Sequence, residues 1–206
     1  MPTWFWIFLL LAGSLFGLKL LYIAATAAVL PMTQGALYVS TARVRIEAVF
    51  DAVKLSPDQL LIDLGCGDAR VLRSACRRYG VRAVGYEINL LAFLKAVFLC
   101  LFTPGIRLKL ADFWQADISK ADVIFCYLYP DVLERLRAKL AEELKPGATV
   151  VSGNFPLPGW TPDDVISCEQ PLYNSPLYIY RTFRSKGPGS RQWGDEKRDS
   201  FTGSGC

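Results

Sequence analysis

The stretch Leu60-Leu-Ile-Asp-Leu-Gly-Cys-Gly-Asp-Ala-Arg70 limits what this chain can fold into more than any other. A short apolar run, suited to a buried strand, stops at Gly65, and a second glycine follows at position 67. Glycines so close together permit a tight turn and let the backbone approach a bound molecule. The helical pattern that resumes after them brings the unpaired N–H groups of a helix start to the same place. Such a unit needs parallel neighbours, and the chain supplies them. Strand patterns fall at Leu60–Leu64, Ala83–Glu87, Arg107–Ala111, Asp122–Tyr127, Ala148–Ser152, Val165–Gln170 and Leu177–Arg184. Helical patterns fall between them at Ala69–Tyr79, Leu90–Phe102 and Asp131–Leu144, the last ended by Lys145-Pro-Gly147.

Strands alternating with helices imply an α/β, Rossmann-like domain: a seven-stranded, mostly parallel sheet with helices on both faces. The last two strands lack a helix between them and are expected to pair antiparallel at an edge. In such sheets ligands bind beyond the carboxyl ends of the strands. Three successive strands end there in acids: Asp63 ahead of the glycine turn, Glu87 in Ala83-Val-Gly-Tyr-Glu87, and Asp112 in Leu110-Ala-Asp-Phe-Trp114. A carboxylate at the end of the second strand suits both hydroxyls of a ribose. Asp112 can accept from an adenine amino group, and Phe113 can stack on the ring. A nicotinamide dinucleotide fits poorly: Arg70 occupies the third-glycine position, and Asp68 adds negative charge where a pyrophosphate would rest. Acids at 63 and 68 suit a cation, namely the ammonium and sulfonium of S-adenosylmethionine. Asp63, Gly65, Gly67, Asp68, Glu87, Asp112 and Phe113 are therefore the expected cofactor residues.

The 52% hydrophobic content is high for a water-soluble chain, and the excess is concentrated at the N-terminus. Trp4 to Leu30 contains one charged residue, Lys19. A bilayer core of about 30 Å takes roughly 20 apolar residues as a helix, so this run suffices for a single transmembrane helix. A cleaved signal peptide is the alternative. The small residues of Ile23-Ala-Ala-Thr-Ala-Ala28 would suit it, but no basic residue precedes the run, and the run is too long for such a signal. Arg43, Arg45 and Lys54 follow the apolar run, so the positive-inside bias puts the main domain on the cytoplasmic side of the membrane. Lys19 is expensive in hydrocarbon unless it snorkels or serves a function. The expected organisation is an anchor and break over residues 1–34, a catalytic domain over 35–184, and a Gly-, Ser- and charge-rich disordered tail over 185–206.

The six cysteines form no CxxC pair and the chain has no histidine, so neither a metal site nor a histidine-activated nucleophile is expected. A net charge of +4 without a basic stripe gives no reason to expect nucleic acid. The segment Leu90–Phe102 is apolar nearly all round, broken only by Lys95. It is too short to span a bilayer. Its outer face should be covered by membrane, by the anchor helix, or by the helix expected over Tyr38–Val53.

The motifs "LLIDLGCGDARVL", "VGYEIN" and "ADFW" make the chain similar to class I, seven-β-strand methyltransferases. More narrowly, it resembles the lysine N-methyltransferases that modify the mitochondrial ATP synthase c-subunit and the adenine nucleotide translocase, together with their prokaryotic relatives. The resemblance covers roughly Gly35 to Trp160 and includes "GALYVSTARVRIEAVFDAV" and "LERLRAKLAEELKPGATVVSGNFPLPGW". Ala69 departs from it, standing where a glycine is usual, and so does the "YVST" stretch that holds Tyr38 and Thr41. The resemblance implies methyl transfer to a lysine of a protein, one associated with the membrane. Tyr127, Tyr129 and Asn154 would then be the catalytic residues lining the acceptor pocket, with Phe155 beside them, and Tyr38 and Thr41 would close over the cofactor. Two other readings stay open: a methyltransferase for a quinone or phospholipid, and a membrane-tethered domain that binds the cofactor without catalysis.

Overall fold

The computed structural model describes residues 2–29, 43–167 and 176–181. A long helix α1 (Thr3–Val29) precedes α2 (Arg43–Val53). Then follow β1 (Leu60–Leu64), α3 (Arg70–Tyr79), β2 (Arg82–Glu87), α4 (Leu90–Cys100), β3 (Ile106–Leu110), a 3-10 turn at Phe113–Gln115, β4 (Val123–Cys126) and α5 (Pro130–Glu143). The chain closes with β5 (Thr149–Gly153), β6 (Asp164–Ile166) and β7 (Leu177–Arg181).

The seven strands form one sheet in the order β3-β2-β1-β4-β5-β7-β6. The first five are parallel to their neighbours. β7 runs antiparallel between β5 and β6, so the expected hairpin is present, with β6 as the outer edge. Residues alternate between two buried faces. Leu61, Val123, Phe125 and Val151 meet Ile46, Val49 and Phe50 of α2 and Leu72 and Ala75 of α3. On the other face Ile62, Ile124 and Val150 meet Leu133, Leu136 and Leu140 of α5, with Tyr180 among them. The helices thus cover both faces.

Element boundaries follow local chemistry. α3 starts one residue later than the periodicity suggests because Ala69 takes the left-handed conformation (φ 57°, ψ 27°) ahead of it. It stops at Gly80, also left-handed, whose N–H donates to the Cys76 carbonyl. α5 begins one residue earlier than expected, because Pro130 fits the first helical turn, where a missing N–H costs nothing. α4 ends at Cys100 rather than Phe102, and the Thr103 N–H donates to the Cys100 carbonyl. Of the helix expected over Tyr38–Val53, residues 43–53 are helical and the rest lies outside the described residues, as do residues 168–170 of the sixth predicted strand and the whole 185–206 tail. α1 is apolar and long enough over Thr3–Ile23 to cross a membrane, and none of that span is buried in the protein.

Candidate active site

The parallel pairing brings the ends of β1, β2 and β4 together: Leu64 lies opposite Tyr86 on one side and Cys126 on the other. The turn after β1 folds across the end of β2. Gly65 and Cys66 donate their N–H groups to the Tyr86 carbonyl at 3.0 and 2.9 Å. Gly65 and Gly67 have φ values of 89° and 55°, which side-chain-bearing residues rarely adopt. Beneath the turn, Gly85 makes room for it. A β-carbon there would fall 2.6 Å from Leu72 Cδ1 and 2.7 Å from Cys66 Sγ.

Glu87 ties the turn to the next helix. Its Oε2 accepts the Gly67 N–H at 2.8 Å, and its Oε1 accepts the Asn89 N–H at 2.8 Å. Asn89 in turn caps α4, its Oδ1 accepting from the Leu91 and Ala92 N–H groups. Sequence reasoning missed Asn89, although an Asn just before an apolar helical run is a start signal. Asp63, Asp68 and Glu87 are all buried side chains. Burial, and then the nearby carboxylates of Glu87 and Asp68, push the Asp63 carboxyl well above the usual carboxylate range.

Asp68 is not a free negative charge. Arg70 bonds it through Nε at 3.1 Å and Nη2 at 3.0 Å, and Lys95 lies 3.5 Å away. Lys95, the one charge in an apolar helix, is brought to Asp68 by the fold, and its place in the sequence does not announce that pairing. Among the described residues no cation pairs with Asp63 or Glu87, and Glu87 is held instead by the two backbone N–H groups it accepts. Asp112 follows β3, and its Oδ1 accepts the Trp114 N–H at 3.0 Å, capping the 3-10 turn. Phe113 and Trp114 are half-buried, with ring centroids 4.9 Å apart.

After β4 the chain presents Tyr127 and Tyr129, both half-buried, beside the residues that leave β5. Tyr127 packs on Gly153, and the Tyr129 ring centroid lies 6.3 Å from that of Phe155. Asn154 sits between them in the left-handed region (φ 68°), its N–H donated to the Pro176 carbonyl. Ser152 anchors the turn by donating its hydroxyl to the Phe155 carbonyl at 2.7 Å. Leu128 lies on the glycine-turn side, since a β-carbon on Gly65 would be 3.9 Å from its Cδ2. The acids of β1 and β2 and the aromatics of β4 and β5 thus share one edge of the sheet. Tyr38 and Thr41 lie outside the described residues.

A family model described as the ANTKMT methyltransferase domain matches residues 63–164, which hold every site element from Asp63 to Phe155. Over 147 residues the chain is 36% identical to a protein-lysine N-methyltransferase of Saccharolobus islandicus (strain REY15A), covering 69% of this chain and 91% of that protein. The chain belongs to the ANTKMT methyltransferase family. A second relative, the adenine nucleotide translocase lysine N-methyltransferase of Mus musculus, is 35% identical over 134 residues, covering 63% of this chain and 57% of that protein. Among solved structures, an RNA methyltransferase from Salinibacter ruber, in complex with S-adenosyl-L-homocysteine, superposes with a TM-score of 0.67. It is 30% identical, and the superposition covers 74% of this methyltransferase and 98% of that chain.

Proposed function

We propose that this methyltransferase moves a methyl group from S-adenosylmethionine to a lysine ε-amine of a membrane or membrane-proximal protein. The observation that carries the reading is the desolvated pair of acids, Asp63 and Glu87, at one edge with the aromatic exit of β4. Buried carboxylates that repel one another favour a cationic ligand, and the residues of the glycine turn leave room for backbone contact with it. In this reading Glu87 receives the ribose hydroxyls and Asp63 faces the cationic amino-acid end. Asp112 accepts from the adenine amino group through the oxygen edge not used in the cap, and Phe113 stacks on the ring. Gly65, Gly67 and Asp68 shape the turn, and Tyr38 and Thr41 close over it.

When bound, the cofactor supplies an electrophilic sulfonium methyl, so that an N–C bond forms as the C–S bond breaks. The protein's part is to present a neutral amine in line and to keep water away. Tyr127, Tyr129 and Phe155 form an apolar, aromatic approach in which a lysine ammonium is poorly solvated, which lowers its pKa. Tyrosine hydroxyls and the Asn154 side chain can accept the amine hydrogens and aim its lone pair, and they start the proton on its way to solvent.

The membrane part of the proposal is supported by α1, which would hold the 35–184 domain at the cytoplasmic face of the inner membrane. Tethering raises the effective concentration of any substrate in the same bilayer. Relatives named for lysine methylation of the adenine nucleotide translocase and of the ATP synthase c-subunit point to membrane proteins as a substrate class. A lipid-soluble small molecule is the second reading, favoured by the exposed apolar side chains of α4 close to the Glu87 edge.

The test is transfer from radiolabelled S-adenosylmethionine into membranes of the source organism, comparing wild type with Glu87→Ala and Asp63→Ala. Label in a discrete protein band, with wild type only, is the expected result. Label in the organic-solvent extract would establish the small-molecule reading instead. Label in an RNA extract would align the enzyme with the activity named for the Salinibacter protein.

A further inference from the structure

α4 and the two residues that follow it turn an apolar stripe to solvent. Leu90, Leu94, Val97, Phe98, Leu101 and Phe102 are all exposed, Phe98 to 72% and Phe102 to 90%. The other side of the helix, with Ala96 buried and Cys100 half-buried, packs on β2 and β3. α2 does not cover the stripe: it packs on α3 and β7. An apolar surface this contiguous on a folded domain marks a contact with something else.

Beside the stripe runs a row of cations. Arg70, Arg73 and Arg77 are spaced three and four apart on α3 and so share one face. Arg70 and Arg77 turn toward α4, and the half-buried Arg73 lies between them on the helix. Arg70 shares the Asp68 carboxylate with Lys95 of α4. Arg77 donates from Nε at 3.2 Å and Nη2 at 3.0 Å to the Thr103 hydroxyl just past that helix. Burial raises the pKa of the Cys100 thiol, and Arg73 and Arg77 lie close enough to oppose the rise. No basic stripe is visible in the sequence because these arginines are interleaved with the apolar residues of a helix, and folding lines them up.

We propose that α4 and the α3 arginine row together form a lipid-docking face, with the apolar stripe in the headgroup–acyl boundary of an anionic bilayer and the arginines at its phosphates. At 11 residues α4 is about 16 Å long and cannot span, but it can lie in the plane of the interface. The combination selects the occupant. A nucleic acid would use the arginines but leave Phe98 and Phe102 in water, whereas an anionic bilayer satisfies both. The inference rests on the reading of α1 as an anchor, which keeps a bilayer within reach. It adds an orientation: α4 is capped by Asn89, whose N–H donates to Glu87, so docking sets the ligand edge of the sheet against the membrane surface. A lysine at the end of a transmembrane segment would be presented there.

The test uses the full chain reconstituted in phosphatidylcholine–phosphatidylglycerol vesicles doped with a phospholipid that carries a photoactivatable acyl chain. Adducts are mapped by mass spectrometry. The expected result is adducts on peptides from 90–102 as well as from 3–29. Phe98→Glu with Phe102→Glu should abolish the first set and keep the second, while the cofactor-induced thermal shift stays at the wild-type value. Omitting phosphatidylglycerol should lower the α4 adducts severalfold. Adducts confined to 3–29 would overturn docking and leave the anchor standing. Protein–protein cross-links between α4 helices of two copies, or protection of the arginine row by an RNA oligonucleotide without α4 adducts, would also overturn it. Absence of adducts from both segments would overturn the anchor reading and the docking face together.

Discussion

The ring of Tyr127 lies so close to Gly153 that a β-carbon on the glycine would come 2.2 Å from Tyr127 Cδ2 and 2.9 Å from Cε2. The two residues leave neighbouring parallel strands, β4 and β5, and their contact sets how the aromatic exit stands over the sheet edge. Gly153 has an ordinary backbone conformation, so it is required here for space and not for a turn. The position of the proposed acceptor pocket therefore depends on a residue that carries no chemistry of its own.

Gly153→Ala should displace the Tyr127 ring. Forcing a methyl group into a filled site costs about 1–3 kcal/mol, with the neighbour moving off its rotamer. The expected outcome is a sharp fall in kcat with cofactor affinity nearly unchanged, because the acids of β1 and β2 lie on other strands. Calorimetric titration with the cofactor and single-turnover rates separate the two. Tyr127→Ala in the same background should recover the lost stability but not the rate, which would show that the steric conflict is with that ring. Loss of cofactor binding in Gly153→Ala alone would contradict this division of labour.

A pH dependence follows from Asp63. Its folded pKa is raised by burial and by Glu87 and Asp68, so the folded state holds the proton over a range where the unfolded chain has lost it. Stability therefore falls as pH rises from the ordinary carboxylate range through the raised value, and is level above it. Asp63→Asn should remove that slope, and its stability relative to wild type should grow with pH, as read from urea midpoints. Affinity for the cationic cofactor should behave in the opposite sense. It should climb with pH in wild type as Asp63 ionises and be weak and flat in Asp63→Asn. A wild-type affinity that does not change with pH would rule out Asp63 as the partner of a cation.

Much of this was legible in the sequence, and the exceptions have a common cause. β1 runs from Leu60 to Leu64 as its apolar run predicts, and the three acids fall at strand ends because strand and turn patterns are local signals. The 3-10 turn at Phe113–Gln115 is too short to leave a periodic signal, and Asp112, whose Oδ1 caps it, suits a ligand or a cap equally well in the sequence. The pairing of Asp68 with Lys95 and the contact of Tyr127 with Gly153 join residues far apart in the chain. Each needs the sheet register to be known first, and periodicity does not supply it. The order β5-β7-β6 belongs with them: the pattern indicates two antiparallel strands without telling which one inserts beside β5.

Ala69→Gly is expected to be close to neutral. Ala69 is fully buried and holds φ 57°, a conformation that costs a side-chain-bearing residue roughly 1–2 kcal/mol. Glycine relieves that strain. It also loses a buried methyl, worth about 0.8 kcal/mol, and brings greater freedom to the unfolded chain, a further loss of about 0.5–1 kcal/mol. The terms nearly cancel, so the shift in chemical-denaturation midpoint should be small. Replacement by valine should be severe, since a branched side chain there meets both the strained φ and a closed core. A strongly destabilised glycine variant would mean that the methyl contact outweighs the backbone strain.

Glu87→Gln tests the hub of the site and Asp63 together. The substitution keeps an oxygen for one of the two N–H groups that Glu87 accepts, from Gly67 or Asn89, and turns an amide N–H₂ toward the other. A hydrogen bond to a charged group is worth about 1.5–3 kcal/mol, so cofactor affinity should fall by roughly tenfold to a hundredfold if the turn loosens as expected. Removing the Glu87 charge also removes one of the two carboxylates that hold the Asp63 pKa up. The pH at which cofactor affinity rises should therefore move down in Glu87→Gln. Titrations of wild type and variant over the same pH series would check both effects. A weaker affinity with an unmoved midpoint would mean that Glu87 serves the ribose and the turn but does not govern the charge of Asp63.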